Sequence, residues 1–278
     1  MATLSISRAW EEGAAFAARE FRLLFPIAFL SSVVPQLLLS VFIPPEDSVE
    51  MYQLASLVQR SGIGTFILLA LAIGLLLFLI QTFGNLAVSY LTLRPGTSVG
   101  ESFAVAGRRI LAVFAAFLLV GLVLTVVLIP LFLLLGSGPG AENSGGILLL
   151  TVLFMVAAFV IGARLLLLVP AGAGERLGPI ALIARSWNLT RGYFWRLLGS
   201  ILLFGIISSI ALAAISLIAG LLVMATVGNP LTDRTAMFVQ DLIISVPSCI
   251  VTIFLVTFIA RIYAQLSGRV TETGKVFE

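Results

Sequence analysis

Residues 61–93 read SGIGTFILLALAIGLLLFLIQTFGNLAVSYLTL, which is 33 consecutive positions without a charged side chain. A second uncharged run covers residues 197–232 and has 36 residues. Each run exceeds the ~20 residues that an apolar α-helix needs to cross the hydrocarbon core of a bilayer. Backbone N–H and C=O groups find no water there, so such a run must pair them internally. Both runs therefore predict membrane-spanning helices.

The composition extends this interpretation to the whole chain. Of its 278 residues, 60% are hydrophobic and 10% are charged, with a mean hydropathy of +1.17, which is typical of polytopic membrane proteins. Histidine is absent and Cys249 is the single cysteine. These residues cannot build a zinc site, a disulfide framework or a Cys–His nucleophile. We therefore expect a chain without a metal, a cofactor or an enzymatic activity of its own.

The apolar runs predict an all-α protein with six membrane spans in a single transmembrane domain, residues 1–278. The predicted spans are residues 22–43, 63–93, 110–135, 147–170, 197–227 and 237–264. Turn-forming residues separate them: the prolines at 44 and 45, the glycine-rich segment 136–143, and Gly228 to Pro230. Such residues break helices and do not lie exposed to lipid.

Lysine and arginine are distributed very unevenly between alternate loops, and this bias orients membrane proteins with their basic loops in the cytoplasm. Thirteen cations fall on one side, namely Arg8, Arg19, Arg22, Arg94, Arg108, Arg109, Arg176, Arg185, Arg191, Arg196, Arg261, Arg269 and Lys275. The other side has two, Arg60 and Arg234. We predict that both termini are cytoplasmic and that the basic face meets anionic phospholipid. Loops this small are not expected to bind nucleic acid.

The order of segments suggests a threefold internal repeat, residues 1–93, 94–170 and 177–264, each made of a surface helix and two spans. Residues 6–10 read ISRAW and residues 183–187 read IARSW. An alternative is that positively charged flanks and interfacial tryptophans make unrelated surface helices look alike. For the second copy, the Ser98 to Glu101 spacing predicts a capping box that opens a surface helix ending at Arg109. For the third, we expect Pro179 to begin the helix and Gly192 to end it.

One polar residue recurs near the inner end of each even-numbered span: Asn85, Arg164 and Arg261. An arginine costs about 2.5–3.5 kcal/mol at the bilayer centre on insertion scales, so it normally snorkels to the surface or finds an anionic partner. Snorkelling is the simpler interpretation. The sharper hypothesis is that the three residues converge on the phosphate or carboxylate of an anionic head group, with Arg185 and Arg196 contributing to the same site.

Residues 164–198 read RLLLLVPAGAGERLGPIALIARSWNLTRGYFWRLL. This segment resembles the membrane domain attached to some bacterial glycerophosphoryl diester phosphodiesterases and the stand-alone inner-membrane proteins similar to it. The resemblance rests on Arg164, Pro170, Glu175, Ala181, Arg185, Ser186, Trp187, Leu189, Thr190, Arg191, Gly192 and Trp195 to Leu198. It implies a bacterial inner-membrane location and a link to lipids or their head groups. The phosphodiesterase chemistry of that family belongs to a separate soluble domain with histidines, so the resemblance does not imply that activity for this chain.

These observations favour a non-enzymatic inner-membrane protein that binds, moves or senses lipid-like or amphiphilic molecules, with membrane lipids as its main partners. Two alternatives stay open: a transporter or channel for a small solute, and an intramembrane lipid-modifying enzyme. The enzyme would have to use Glu175, Arg176 and Arg185 as its polar cluster. The sequence is equally compatible with a homo-oligomer and with a membrane-protein partner.

Overall fold

The computed structural model describes residues 4–45, 48–136 and 144–268, and these residues form helices joined by short turns. The helices are α1 (Ile6–Arg19), α2 (Phe21–Ala28), a π-helical segment (Phe29–Val33), α3 (Val34–Phe42), α4 (Val49–Ser61), α5 (Ile63–Leu93), α6 (Val99–Gly136), α7 (Ser144–Leu165), α8 (Leu168–Gly174), α9 (Pro179–Thr190), α10 (Phe194–Thr226) and α11 (Arg234–Leu266). Of the predicted turn at residues 136–143, residues 137–143 lie outside the described residues, as do the cations Arg269 and Lys275. So do residues 46 and 47, beside the predicted break at the prolines.

The prediction of an all-helical protein with six membrane spans is confirmed. Six helical stretches are long and apolar enough to cross a bilayer: Phe21–Ser40, Gly64–Leu93, Val99–Val127, Thr151–Gly174, Phe194–Thr226 and Arg234–Leu266. The first consists of α2, the π-helical segment and most of α3, and the fourth continues through α8. The predicted fourth span ended at residue 170, but α8 extends to Gly174.

The second predicted surface helix is not a separate element. Helix α6 runs without interruption from Val99 to Gly136, so it joins the predicted surface helix to the third span. The sequence contains no proline around Arg109 and Ile110, and the single glycine nearby, Gly107, does not end the helix. The Ser98 Oγ does accept a hydrogen bond from the Glu101 N–H at 3.2 Å, as a capping box requires. The Glu101 carboxylate, however, accepts from the Tyr90 hydroxyl at 2.9 Å.

The other two predicted surface helices are separate elements, and the ends of α9 follow the predicted signals. In α9, Pro179 lies in the first turn, and Gly192 follows the last turn with a φ of +92°, a conformation that glycine adopts without strain. In α1, the Ser5 side chain caps the first turn. The threefold repeat itself stays a prediction, because α1 and α9 are distinct helices whereas their second counterpart is part of α6.

Proline explains the irregular first span. Pro35 has no N–H to donate, and its ring would clash with the carbonyl group one turn earlier in a regular α-helix. The chain widens into π-helical turns over Phe29–Val33, which end two residues before Pro35, and continues as α3. The widened turns bring Ser31 against Gly84 of α5, where a Cβ atom would lie 2.0 Å from the Ser31 Oγ.

Buried side chains concentrate at one end of the helix bundle. This end contains α1, α8, α9, the end of α5 and the end of α11, and we call it the arginine-rich end. Its described arginines are Arg8, Arg19, Arg22, Arg94, Arg108, Arg109, Arg176, Arg185, Arg191, Arg196 and Arg261. Leu86 and Leu91 of α5 and Ile262 of α11 are fully buried there. Farther along the spans, large apolar side chains such as Leu68 and Val123 are exposed, as lipid-facing residues are.

Two contacts show which chain segments share an end. At the arginine-rich end, the Ser5 N–H donates to the Gln265 Oε1 at 3.1 Å, which joins the start of α1 to the end of α11. At the opposite end, the Arg234 guanidinium pairs with the Glu50 carboxylate, which joins α11 to α4. The segments that the charge distribution assigned to one side of the membrane therefore lie at one end of the bundle, and those assigned to the other side lie at the opposite end.

Small residues let the helices approach closely at the arginine-rich end. Gly13 of α1 lies against the backbone of Phe258 in α11, where a Cβ atom would be 3.2 Å from the Phe258 Cα. Gly172 of α8 lies against α6, where a Cβ atom would be 2.3 Å from the Val113 Cγ2. By contrast, a Cβ atom on Gly107 of α6 would meet nothing within 4 Å.

We expect Gly172→Ala to lower the free energy of unfolding by about 1–3 kcal/mol, because the added methyl overlaps the Val113 side chain. Val113→Ala removes the overlapping Cγ2, so the double variant should lose less stability than the two single losses combined. The measurement is denaturant unfolding in detergent micelles. As a control, Gly107→Ala should leave stability unchanged or raise it slightly. Strict additivity of the two substitutions would contradict the close approach of α8 to α6.

Candidate functional site

Arg164, one of the predicted ligand residues, is held between two aromatic rings. Its guanidinium carbon lies 5.2 Å from the centroid of the Trp187 ring in α9 and 4.8 Å from that of Phe194 in α10. The Ser186 hydroxyl also donates to the Arg164 carbonyl oxygen at 2.8 Å. The Arg164 Nη1 is buried and has no hydrogen-bond partner among the described residues. Arg164 thus stands at the junction of α7, α9 and α10 with one N–H group unused.

Arg261, the corresponding residue of α11, lies against α1. Its guanidinium carbon is 5.3 Å from the centroid of the Phe16 ring. The Arg261 Nε is buried and lacks a hydrogen-bond partner within the described part of the chain. Glu12 and Arg19 of α1 lie close enough to act on it electrostatically: the negative charge of Glu12 attracts the guanidinium, and the positive charge of Arg19 repels it. Both intramembrane arginines therefore present a face to aromatic rings, and each keeps a buried nitrogen for which the described residues supply no acceptor.

Asn85 is half-buried on α5, next to the glycine that contacts Ser31. In the described residues no hydrogen bond, ion pair or ring contact joins Asn85, Arg164 and Arg261 to one another. Arg164 contacts α9 and α10, whereas Arg261 contacts α1. The convergence of the three residues on one ligand stays a prediction.

Arg185, another predicted ligand residue, belongs to a polar cluster. Its Nε and Nη2 both donate to the Glu175 Oε1, at 3.2 and 2.9 Å. The Tyr263 hydroxyl donates to the same oxygen at 2.7 Å. The cluster ties α9, the residue after α8 and the end of α11 together, and we call it the Glu175 clamp.

Arg196, the fifth predicted residue, is exposed and borders an apolar groove between α1, α10 and α11. The groove has a volume of about 650 Å³. Trp10 forms one wall and packs against Phe204 and Phe258, with ring centroids 5.8 and 5.7 Å from its own. The groove is also lined by Trp195, Gly199 and Leu203. We call it the α1/α10 groove.

A second apolar groove lies on the other side of α10, against α7, and has a volume of about 560 Å³. Phe154, Phe159 and Gly162 of α7 face Leu198 and Ile201 of α10 across it. Arg164 follows Gly162 by two residues and contacts Phe194 at the start of α10. Each groove beside α10 therefore has an arginine near its arginine-rich end, and we call this one the α7/α10 groove.

A third cavity has a different character, because arginines line it. It lies between α6 and the segment that follows α8, and its volume is about 380 Å³. Arg108, Arg109, Glu175 and Arg176 contribute its polar walls. The Arg109 Nη1 donates to the Gly172 carbonyl oxygen at 3.0 Å and so fixes one wall to α8.

Sequence reasoning did not identify the grooves or the arginine-lined cavity. Trp10 and Trp195 meet at one groove although 184 residues separate them in the chain. Arg108 and Arg109 are adjacent to one another, and a pair of arginines before an apolar run is a signal that the sequence does contain. Such a pair also marks the cytoplasmic flank of many spans, so it does not by itself indicate a cavity.

Comparison with known proteins confirms the resemblance seen in the sequence. Residues 141–274 match the family model of the membrane domain of glycerophosphoryl diester phosphodiesterase. These 134 of the 278 residues include α7 to α11 and therefore the Glu175 clamp and both walls of the α7/α10 groove. The matched family is a membrane domain, and this agrees with the six membrane-spanning helices of the structure. No curated protein and no solved structure matches the chain.

We expect Glu175→Gln to lower the free energy of unfolding by about 1–3 kcal/mol, because the Arg185 guanidinium and the Tyr263 hydroxyl lose a charged acceptor. The Arg185 side chain is 37% exposed, and solvent screening should keep the loss toward the lower end of that range. The control is Glu20→Gln, which breaks the exposed Arg19–Glu20 pair at the end of α1. That change should cost less than about 1 kcal/mol. Equal losses in the two variants would show that the Glu175 clamp does not hold the helices together.

Proposed function

We propose that the protein is a non-enzymatic inner-membrane protein that binds lipid-like or amphiphilic anionic molecules in the grooves beside α10. The observation that carries this proposal is the α1/α10 groove, whose walls are almost entirely apolar and whose edge bears Arg196. Its volume of about 650 Å³ falls within the range of roughly 300–1,000 Å³ that is typical of small-ligand pockets. A hydrocarbon chain fits the walls, and an anionic head group fits the arginine.

The two tryptophans of this groove support the same ligand class. Indole rings are favoured at the membrane–water interface because they combine a large apolar surface with one N–H donor. Trp10 is 42% exposed and Trp195 is 78% exposed, at the level of Arg196. A lipid with its head group at Arg196 and its chain along Leu203 would cover the apolar surface that these residues leave open.

Arg164 and Arg261 provide further anion-binding groups for the proposal, and Asn85 and Arg185 are the other polar residues that it includes. A guanidinium can place its face on an aromatic ring while its N–H edge binds a phosphate or carboxylate. Both arginines have an aromatic contact and a buried nitrogen without an acceptor among the described residues. Buried donors are usually hydrogen-bonded, so an anionic ligand would supply an acceptor that the described chain does not.

The groove walls and the hydrogen bonds of Glu175 favour lipid binding over a solute transporter and over a lipid-modifying enzyme. A transporter for a polar solute needs a polar path, whereas the walls of both grooves beside α10 are apolar. A lipid-modifying enzyme built on Glu175 would need a carboxylate that is available to substrate. The Glu175 Oε1 already accepts hydrogen bonds from Arg185 and Tyr263, which supports a structural role.

We further propose that the arginine-rich end faces the cytoplasm, as the distribution of basic residues suggests. In a variant in which Cys249 is replaced by Ala, single cysteines are introduced beside Arg185 and beside Gly140. A membrane-impermeant thiol reagent applied to intact cells should label the cysteine near Gly140 and leave the one near Arg185 unlabelled. The reverse pattern would show that the arginine-rich end faces outward.

The groove proposal is tested by filling the groove without changing charge. Gly199 lines the α1/α10 groove, and Gly205 lies on the same helix and lines neither groove; a Cβ atom on either glycine would meet nothing within 4 Å. Gly199→Leu should reduce several-fold the amount of phosphatidylglycerol that stays bound to the purified protein in native mass spectrometry. Gly205→Leu is the matched control and should retain lipid as the wild type does.

The charged groups are tested in the same measurement. Arg196→Gln and the double variant Arg164→Gln with Arg261→Gln should each weaken retention of phosphatidylglycerol more than that of phosphatidylcholine, because only the first lipid is anionic. Unchanged retention in all of these variants, Gly199→Leu included, would rule out the proposal. Solute flux in proteoliposomes that Gly199→Leu abolishes would favour a transporter instead.

A further inference from the structure

The arginine-lined cavity between α6 and α8 is separate from the grooves beside α10. It is lined by Val105, Arg108, Arg109, Glu175, Arg176 and Leu182, and none of these residues lines either groove. Its volume of about 380 Å³ equals that of roughly a dozen liquid waters at ~30 Å³ each. The cavity can therefore hold a small polar group, and its guanidinium and carboxylate walls suit such a group better than a hydrocarbon chain.

The charges on its walls favour an anion. Three guanidinium groups line the cavity against one carboxylate, that of Glu175. The Glu175 carboxylate is itself paired with Arg185, at 2.9 Å, so its negative charge is largely balanced from outside the cavity. Arg108 and Arg176 are exposed and form no ion pair within the described residues. Their charges are the ones that a ligand would neutralise.

The walls are held in place before any ligand arrives. Arg109 donates to the carbonyl oxygens of Gly172 and Ala173, which fixes α6 to α8. Arg185 and Tyr263 fix Glu175 from the other side. A site whose donors are already positioned loses little conformational entropy on binding.

From this arrangement we infer that the cavity is a binding site for a phosphate group, with Arg108 and Arg176 as the residues that contact it. A planar guanidinium offers paired N–H donors that match the oxygens of a phosphate, and such charge-assisted hydrogen bonds are among the strongest in proteins. The volume leaves room for a small polar substituent on the phosphate. The phosphate can be carried by a lipid head group or by a free, water-soluble molecule.

The test uses the full chain in nanodiscs of phosphatidylcholine, with inorganic phosphate titrated by calorimetry. A second arm replaces part of the lipid with phosphatidic acid and measures its retention by native mass spectrometry. We expect saturable binding in at least one arm, and the arm that responds identifies a free phosphate or a head group as the source. In the double variant Arg108→Gln with Arg176→Gln, that binding should weaken about tenfold or more.

The matched control is Arg22→Gln with Arg191→Gln, which removes two exposed arginines of the same end that do not line the cavity. It should bind as the wild type does. A second variant, Ala112→Leu, narrows the cavity from the α6 wall and keeps every charge; it should also weaken binding, and it carries the test if the double variant does not fold.

Equal weakening in the control would show that the arginine-rich end attracts phosphate only diffusely, and this would overturn the inference. Absence of saturable binding by the wild type in both arms would overturn it too. Gly199→Leu should leave phosphate binding intact, so a failure of the groove proposal and a failure of this site are distinguishable.

Discussion

The close approach of helices at the arginine-rich end is the constraint on which the rest of the structure depends. In lipid, apolar side chains gain little by leaving one solvent for a similar one, so helices associate through close packing and hydrogen bonds, and small residues make that packing possible. Gly13 against Phe258, Gly84 against Ser31 and Gly172 against Val113 involve five of the helical spans and α1 at this end. The hydrogen bonds of Arg109 and the Glu175 clamp then join α6, α8, α9 and α11.

The grooves are a consequence of this one-sided packing. Beyond the arginine-rich end the spans carry exposed apolar side chains, and α10 has many of them, such as Ile206, Leu217 and Leu221. The two grooves lie on either side of its first half. Intramembrane arginines fit the same arrangement, because aromatic rings of α1, α9 and α10 cover their faces where hydrocarbon would otherwise meet a charge. A charged group near the end of an apolar groove is an arrangement that suits an amphiphile.

Much of the fold could be predicted from the sequence. Long uncharged apolar runs must form α-helices in lipid, because only a helix pairs all their backbone N–H and C=O groups within the same segment. The ends of α9 could also be predicted, because Pro179 and Gly192 act on the backbone only at their own positions. The structure confirms both ends. The predicted end of the second surface helix at Arg109 was wrong, because basic residues before an apolar run look alike whether or not the helix bends there. The site was harder to predict. Trp187, which contacts Arg164, lies 23 residues away in the chain, and Phe16 lies 245 residues from Arg261. Such pairs depend on how the helices pack, and no short pattern in the chain encodes them.

The central claim is that packing at one end leaves a groove beside α10 that an anionic amphiphile fills. The most direct measurement is an experimental structure of the protein in nanodiscs that contain phosphatidylglycerol. If lipid fills the α1/α10 groove, we expect ordered lipid density along Leu203 and Phe204, with the head group at Arg196. A groove closed by the side chains of α1 and α10, or one in which α10 packs against a second copy of the chain, would contradict it.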